Sequence, residues 1–163
     1  MRKFAFECFA DGDIVTHLSH TLGVTFGRMH RSGQGDVVRV LLVEQVADIG
    51  MVDEDPGRAH HRKRDEAPAV RSSEGLEVRE LHGRTLAILR PELEVCFVRA
   101  MNEVGLESKL PREPGRLQAL LNTPGKEKHE VFRGELAQLS RASREKSVPT
   151  FLTELEDVVR SLV

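Results

Sequence analysis

Ile49-Gly50-Met51-Val52-Asp53-Glu54-Asp55-Pro56-Gly57 is an apolar run that ends in two acids one residue apart and then stops at a Pro-Gly turn. Alternate residues of a strand share a face, so Asp53 and Asp55 project to the same side at the end of a strand spanning Ala47 to Asp53. Two carboxylates held side by side repel, and a cation, a basic side chain or water must relieve them. An all-oxygen set of this kind suits Mg²⁺, which takes one or two carboxylates and keeps several waters. The plainer alternative is a polar turn after a buried strand, since acids are common turn residues.

On the N-terminal side, Val37 to Val46 is almost wholly apolar, and periodicity alone does not separate helix from strand there. Asp36 as a cap, and the strand that follows so soon, favour a helix. Val24 to His30 reads as a second strand interrupted by Gly27. The Gly33-x-Gly35 pair lacks the third glycine of a dinucleotide fingerprint, and no Gly-Lys-Ser/Thr phosphate loop is present. Lys3 to Phe9 reads as a buried strand that carries Glu7 inside it. A lone acid there is costly unless it is paired or liganded, or else faces water at the strand end. Asp11-Gly12-Asp13 then turns the chain, either Asp serving as a cap, into a helix with Ile14, Val15, Leu18 and Leu22 on one stripe and Gly23 as its stop.

On the C-terminal side, Gly57 to Gly75 is charged and poor in apolar residues. Its cluster of Arg58, His60, His61, Arg62, Lys63 and Arg64 offers phosphate contacts beside the acids, or is a solvated loop. Leu76 to Leu81 and Thr85 to Leu89 read as a hairpin across His82-Gly83-Arg84. Pro91 opens a helix with Leu93, Phe97, Ala100 and Val104 on its apolar face, Glu92 and Glu94 in its first turn and Gly105 at its end. Beyond Leu106 only amphipathic helices follow, the last carrying Phe151, Leu152, Leu155, Val158, Val159 and Leu162.

Composition sets limits. The chain has 163 residues, 39% hydrophobic and 31% charged, with a net charge of -2, so a nucleic-acid contact would have to come from a local patch. Cys8 and Cys96 have no metal-ligand spacing and read as free thiols of a cytoplasmic protein. Neither a signal peptide nor an apolar run of about 18 residues is seen, so no membrane partner is expected.

Strand–helix alternation over the first half predicts an α/β fold with a mainly parallel sheet, whose working site lies beyond the carboxyl ends of the strands. If the first and third strands are neighbours, Glu7, Asp53 and Asp55 converge, and three acids together do not all stay ionised without a cation.

These residues resemble the TOPRIM domain shared by topoisomerases, primases and OLD-type nucleases. That family carries a Glu at the end of the first strand, an acid four residues on and an Asp-x-Asp at the third strand, here Glu7, Asp11 and Asp53-Glu54-Asp55. Gly33-Gln34-Gly35 and the strand-Pro-x-x-Glu run Ala87 to Glu94 are similar to elements of small standalone members. The resemblance implies a Rossmann-like TOPRIM domain over residues 1–105 and a helical segment over 106–163 packed on it. It also implies a Mg²⁺-dependent nuclease or phosphotransfer activity on nucleic-acid phosphodiesters, with Mn²⁺ as a substitute ion. Glu7, Asp53 and Asp55 would be catalytic. Glu7, Asp11, Asp53, Asp55 and Glu94 would supply the metal site, Arg58, Arg62, Lys63 and Arg64 would contact phosphates, and Lys109 would stabilise charge. The family's Gly after the Glu is replaced by Cys8, which crowds phosphate approach. The chain has no Tyr for tyrosyl-DNA chemistry, no zinc-ribbon cysteines and no ATPase motif.

Two further classes compete. One is a TOPRIM-shaped scaffold that binds a protein partner, or a second copy of itself, through the C-terminal helices. The other is a receiver-like phosphoacceptor with Asp53 as acceptor and Thr85 and Lys109 as helpers.

Overall fold

The computed structural model describes residues 1–163. Its elements in chain order are β1 (Lys3–Phe6), α1 (Phe9–Leu22), β2 (Gly27–His30), α2 (Gln34–Val38, widening into a π turn over Arg39–Val43) and β3 (Ile49–Asp53). Then come α3 (Arg62–Glu66), β4 (Ala69–Ser72), β5 (Leu76–Leu81), β6 (Arg84–Leu89), α4 (Leu93–Val104), α5 (Pro114–Leu121), α6 (Lys126–Glu145) and α7 (Phe151–Leu162). One six-stranded sheet runs in the order β2-β1-β3-β6-β5-β4. β2, β1, β3 and β6 are parallel, and β5 and β4 continue antiparallel. The mainly parallel α/β sheet expected from the alternation is therefore present, and β1 lies directly beside β3, Phe4 opposite Ile49.

The pleat sorts side chains into two cores. Phe4, Phe6, Ile49, Met51, Ala87 and Leu89 face a cluster that also takes in α1 and α4 to α7. Ala5, Val52, Leu86 and Ile88 face the opposite cluster, under Val37, Val38, Val40, Leu41 and Leu42. Gly50 makes that second layer possible. A Cβ there would lie 2.9 Å from Leu41 and 3.2 Å from Val37, so only glycine lets the π turn settle onto β3.

The C-terminal helices share the first core rather than forming one of their own, Leu117, Phe132, Leu136 and Leu155 packing with Phe4, Ile14 and Phe97. Two polar clamps fix them to α1. Asp13 is bonded to His129 Nδ1 and accepts from Arg133 Nη1 at 2.8 Å. His17 Nε2 meets Glu156 Oε1 at 2.8 Å.

Several boundaries differ from the sequence reading. β1 stops at Phe6 instead of Phe9, because Cys8 in extended backbone caps α1, its Sγ accepting from the Asp11 amide at 3.4 Å. Asp11 and Asp13 thus lie within α1 and do not cap it. β2 begins only at Gly27. The expected helix over Val37 to Val46 starts earlier, at Gln34, and ends at Val43 in its π turn. Gly57 to Gly75 is not all loop, since it holds α3 and the edge strand β4, whose four residues are exposed and carry no alternation to read. Pro91 precedes the helix cap Glu92 and is not in the first turn of α4.

Candidate functional site

Parallel strands deliver their carboxyl ends to one edge of the sheet, and five acids arrive there by five routes. Glu7 follows β1, Asp53 ends β3 and Asp55 lies two residues beyond. Asp11 is in the first turn of α1 and Glu94 in the first turn of α4. Glu7 reaches across the β1–β3 boundary, its Oε1 accepting from the Asp53 amide at 3.3 Å. Asp53 Oδ1 accepts from the Leu93 amide at 2.9 Å, which fixes the start of α4 to the end of β3. Asp55, with a left-handed φ of 47°, takes Gln34 Nε2 on its Oδ2 at 3.1 Å. The intervening Glu54 is held by Arg90 at 2.6 Å.

Burial and mutual repulsion oppose ionisation across this cluster, and its one nearby cation is the exposed Arg58 beside Asp55. Asp11 is 1% exposed and Glu94 3%. Both Asp11 carboxylate oxygens and Glu94 Oε2 have no hydrogen-bond partner. Burial, reinforced by Glu7 and Glu94, pushes the Asp11 carboxyl up to about 8. Burial, with Asp11, Glu94 and Glu7, lifts Asp53 to about 9, against the Leu93 amide that favours its ionised form. Burial also raises Glu94 to about 7, helped by Glu92, Asp55 and Glu7. Glu7 is raised by burial and by Asp55. Burial pushes the Cys8 thiol up as well, so it stays protonated, a backbone cap and not a nucleophile.

An orphaned, fully buried carboxylate is what a bound cation would satisfy, and an all-oxygen donor set fits Mg²⁺ or Mn²⁺. The side chains lie along one rim without closing on one point, and no group of three or more His, Cys, Asp or Glu is spaced to hold an ion. Glu7, Asp53 and Asp55 each accept from a neutral N–H donor, and Asp55 has in addition the Arg58 guanidinium nearby.

The basic segment divides. Arg58, 78% exposed, stands 3.9 Å from Asp55 Oδ2. Arg62 and Lys63 pair with Glu66 at 3.2 and 3.0 Å. Arg64, expected at a phosphate, is instead buried in the interior. Its Nη1 donates to Gln34 Oε1 at 2.5 Å, and both Nη atoms to the Glu54 carbonyl at 3.3 Å. Arginine has donors only, so this contact decides which way the Gln34 amide faces: Oε1 toward Arg64, Nε2 toward Asp55. His60 Nδ1 lies 2.8 Å from Arg64 Nη1 and 3.2 Å from Gln34 Oε1, which places its ring against the same pair. The Arg64–Gln34 pair that orients Asp55 was not read from the sequence, and its only trace was the position of Gln34 inside the Gly33-x-Gly35 turn.

The receiver-like helpers are not at the site. β6 runs parallel to β3 with Thr85 beside Ile49, so Thr85 sits at the far end of the sheet from Asp53. Lys109 is exposed, and its backbone amide is bonded to Glu135. Family models, curated proteins and solved structures contain no match to this chain.

Proposed function

We propose that the chain is a TOPRIM-like, Mg²⁺-dependent phosphoryl-transfer protein that cuts nucleic-acid phosphodiesters. The observation that carries this reading is Asp11. A carboxylate 1% exposed, with both oxygens unpartnered and Glu7 and Glu94 as charged neighbours, is a large unrelieved cost that a divalent cation removes. Glu7, Asp11, Asp53, Asp55 and Glu94 would hold the metal. A bound divalent ion supplies Lewis-acid polarisation of a phosphoryl oxygen and a more acidic water. The chain's own groups do the rest. Leu93 N–H and Gln34, braced by Arg64, set the angles of Asp53 and Asp55, and exposed Arg58 can meet the phosphate backbone with salt-sensitive affinity.

The test is incubation with plasmid, single-stranded DNA or RNA in Mg²⁺, Mn²⁺ or EDTA. Metal-dependent cutting that disappears in Asp53→Ala supports the proposal, and cutting that persists in EDTA or in the variant refutes it. The seating of Glu7, Asp53 and Asp55 on neutral donors favours a second reading, an inactive scaffold of this shape. No cutting, together with a stable complex of the intact chain with a protein or with itself, would select that reading.

A further inference from the structure

We propose that Phe9, at the start of the helix that carries Asp11, is a nucleobase-stacking platform, so that the substrate is engaged as a single strand; this rests on the nucleic-acid reading above. The chain has seven phenylalanines. Phe4, Phe6, Phe26, Phe97, Phe132 and Phe151 are all buried, while Phe9 is 42% exposed. It stands on the first turn of α1, the turn that carries Asp11, and two residues from Glu7.

Its surroundings come from three elements. The His30 ring of β2 lies 5.5 Å away, inclined at 44°, and the His129 ring of α6 lies 6.1 Å away. Both imidazoles are fixed from behind. His30 stacks on Phe6 at 5.6 Å and its Nε2 bonds the Glu7 carbonyl at 3.0 Å. His129 is bonded to Asp13 and to the Thr123 carbonyl. Arg28, exposed, lies over the Phe6 ring at 5.4 Å, its guanidinium donating to Thr16 Oγ1 and the Gly12 carbonyl.

A flat exposed ring, flanked by two imidazoles held from behind, matches what a splayed base needs. Every base has a π face, so such a platform is tolerant of sequence. A duplex keeps its bases stacked inside and cannot present one to Phe9 without unpairing. The same His30 that flanks Phe9 is anchored on the Glu7 carbonyl, which ties the platform to the segment that carries Glu7.

Absence of Trp and Tyr makes the test clean, because Phe9→Trp introduces the sole strong fluorophore. Binding of labelled oligothymidylate, of an abasic deoxyribose-phosphate oligomer and of duplex DNA is measured by anisotropy with Ca²⁺ in place of Mg²⁺, alongside cutting with Mg²⁺. The expected result is oligothymidylate bound more tightly than the abasic oligomer or the duplex. Phe9→Ala should weaken that binding by about tenfold or more and leave the abasic oligomer unaffected. Oligothymidylate should quench the emission of Phe9→Trp. Equal binding by wild type and Phe9→Ala, unquenched emission at saturation, or no single-strand binding overturns the proposal. So does a shift of oligomeric state in Phe9→Ala with unchanged oligonucleotide binding, which would assign the ring to a protein contact. Metal-dependent cutting with Phe9-insensitive binding removes the platform and keeps the enzyme, whereas Phe9-dependent binding without cutting keeps the platform and removes the enzyme.

Discussion

Replacing Asp11 by Asn should make the metal-free protein more stable while removing its response to Mg²⁺. The side chain keeps its shape and loses its charge. In the unfolded chain the Asp11 carboxyl titrates near 3.8, and in the folded protein at about 8, chiefly because burial opposes ionisation. The folded state therefore holds a proton that the unfolded state releases. No penalty exists below the unfolded value. It grows as the pH rises above 3.8 and levels off once the folded carboxyl ionises near 8. Borne by Asp11 alone, it would reach ~4 kcal/mol at neutral pH, at about 1.4 kcal/mol per unit. Asp53 and Glu94 share the same proton load, so about 2 kcal/mol is the expected gain for Asp11→Asn, or a Tm rise of roughly 4–8 °C for a domain of this size. The assay is thermal unfolding of both proteins in EDTA and in Mg²⁺, from acid to mildly alkaline pH. The two should melt alike in acid and diverge as pH rises. Mg²⁺ should stabilise the wild type by mass action and leave Asp11→Asn nearly unmoved. An Asp11→Asn protein less stable than wild type at neutral pH, or a difference independent of pH, refutes the reasoning.

Other substitutions probe the supports of the site. Arg64→Met should cost about 2–3 kcal/mol in urea unfolding, since it leaves Gln34 Oε1 and the Glu54 carbonyl without their buried donor. Arg62→Gln, on an 83% exposed side chain, should stay within about 0.5 kcal/mol. Gly50→Ala should destabilise by about 1–3 kcal/mol as its Cβ meets Leu41 at 2.9 Å. Glu156→Gln tests the α1–α7 clamp. Burial would raise this carboxyl, but His17, Ser140 and Arg144 overcome it and hold it below 4.5. Its contribution is therefore present above the ordinary carboxylate value and lost as pH falls through the folded one, so the variant should lose about 2 kcal/mol at neutral pH and much less in acid, followed by circular dichroism.

The sheet was legible where strands alternate or are wholly apolar and end at a strong breaker. β3 before Asp-Glu-Asp-Pro-Gly and the β5–β6 hairpin are of this kind. β4 was not, because an edge strand with both faces in water needs no apolar residue. β1 was read too long because Cys8 and Phe9 look like strand residues, yet the thiol caps the helix and leaves Phe9 outward. Glu7 and Asp53 could be paired in advance, because a parallel β1–β3 contact brings their strand ends together. Arg64 could not be separated from Arg58, Arg62 and Lys63, since burial of one guanidinium in a basic run depends on where Gln34 and Glu54 arrive in space.

The central claim is that acids from distant parts of the chain share one divalent ion. Titration of the intact protein with Mn²⁺, followed by electron paramagnetic resonance of the free ion, tests it without reference to any substrate. The account predicts saturable binding that competes with Mg²⁺ and is lost or strongly weakened in both Glu7→Gln and Asp53→Asn. No saturable binding, or equal binding by wild type and both variants, would contradict it.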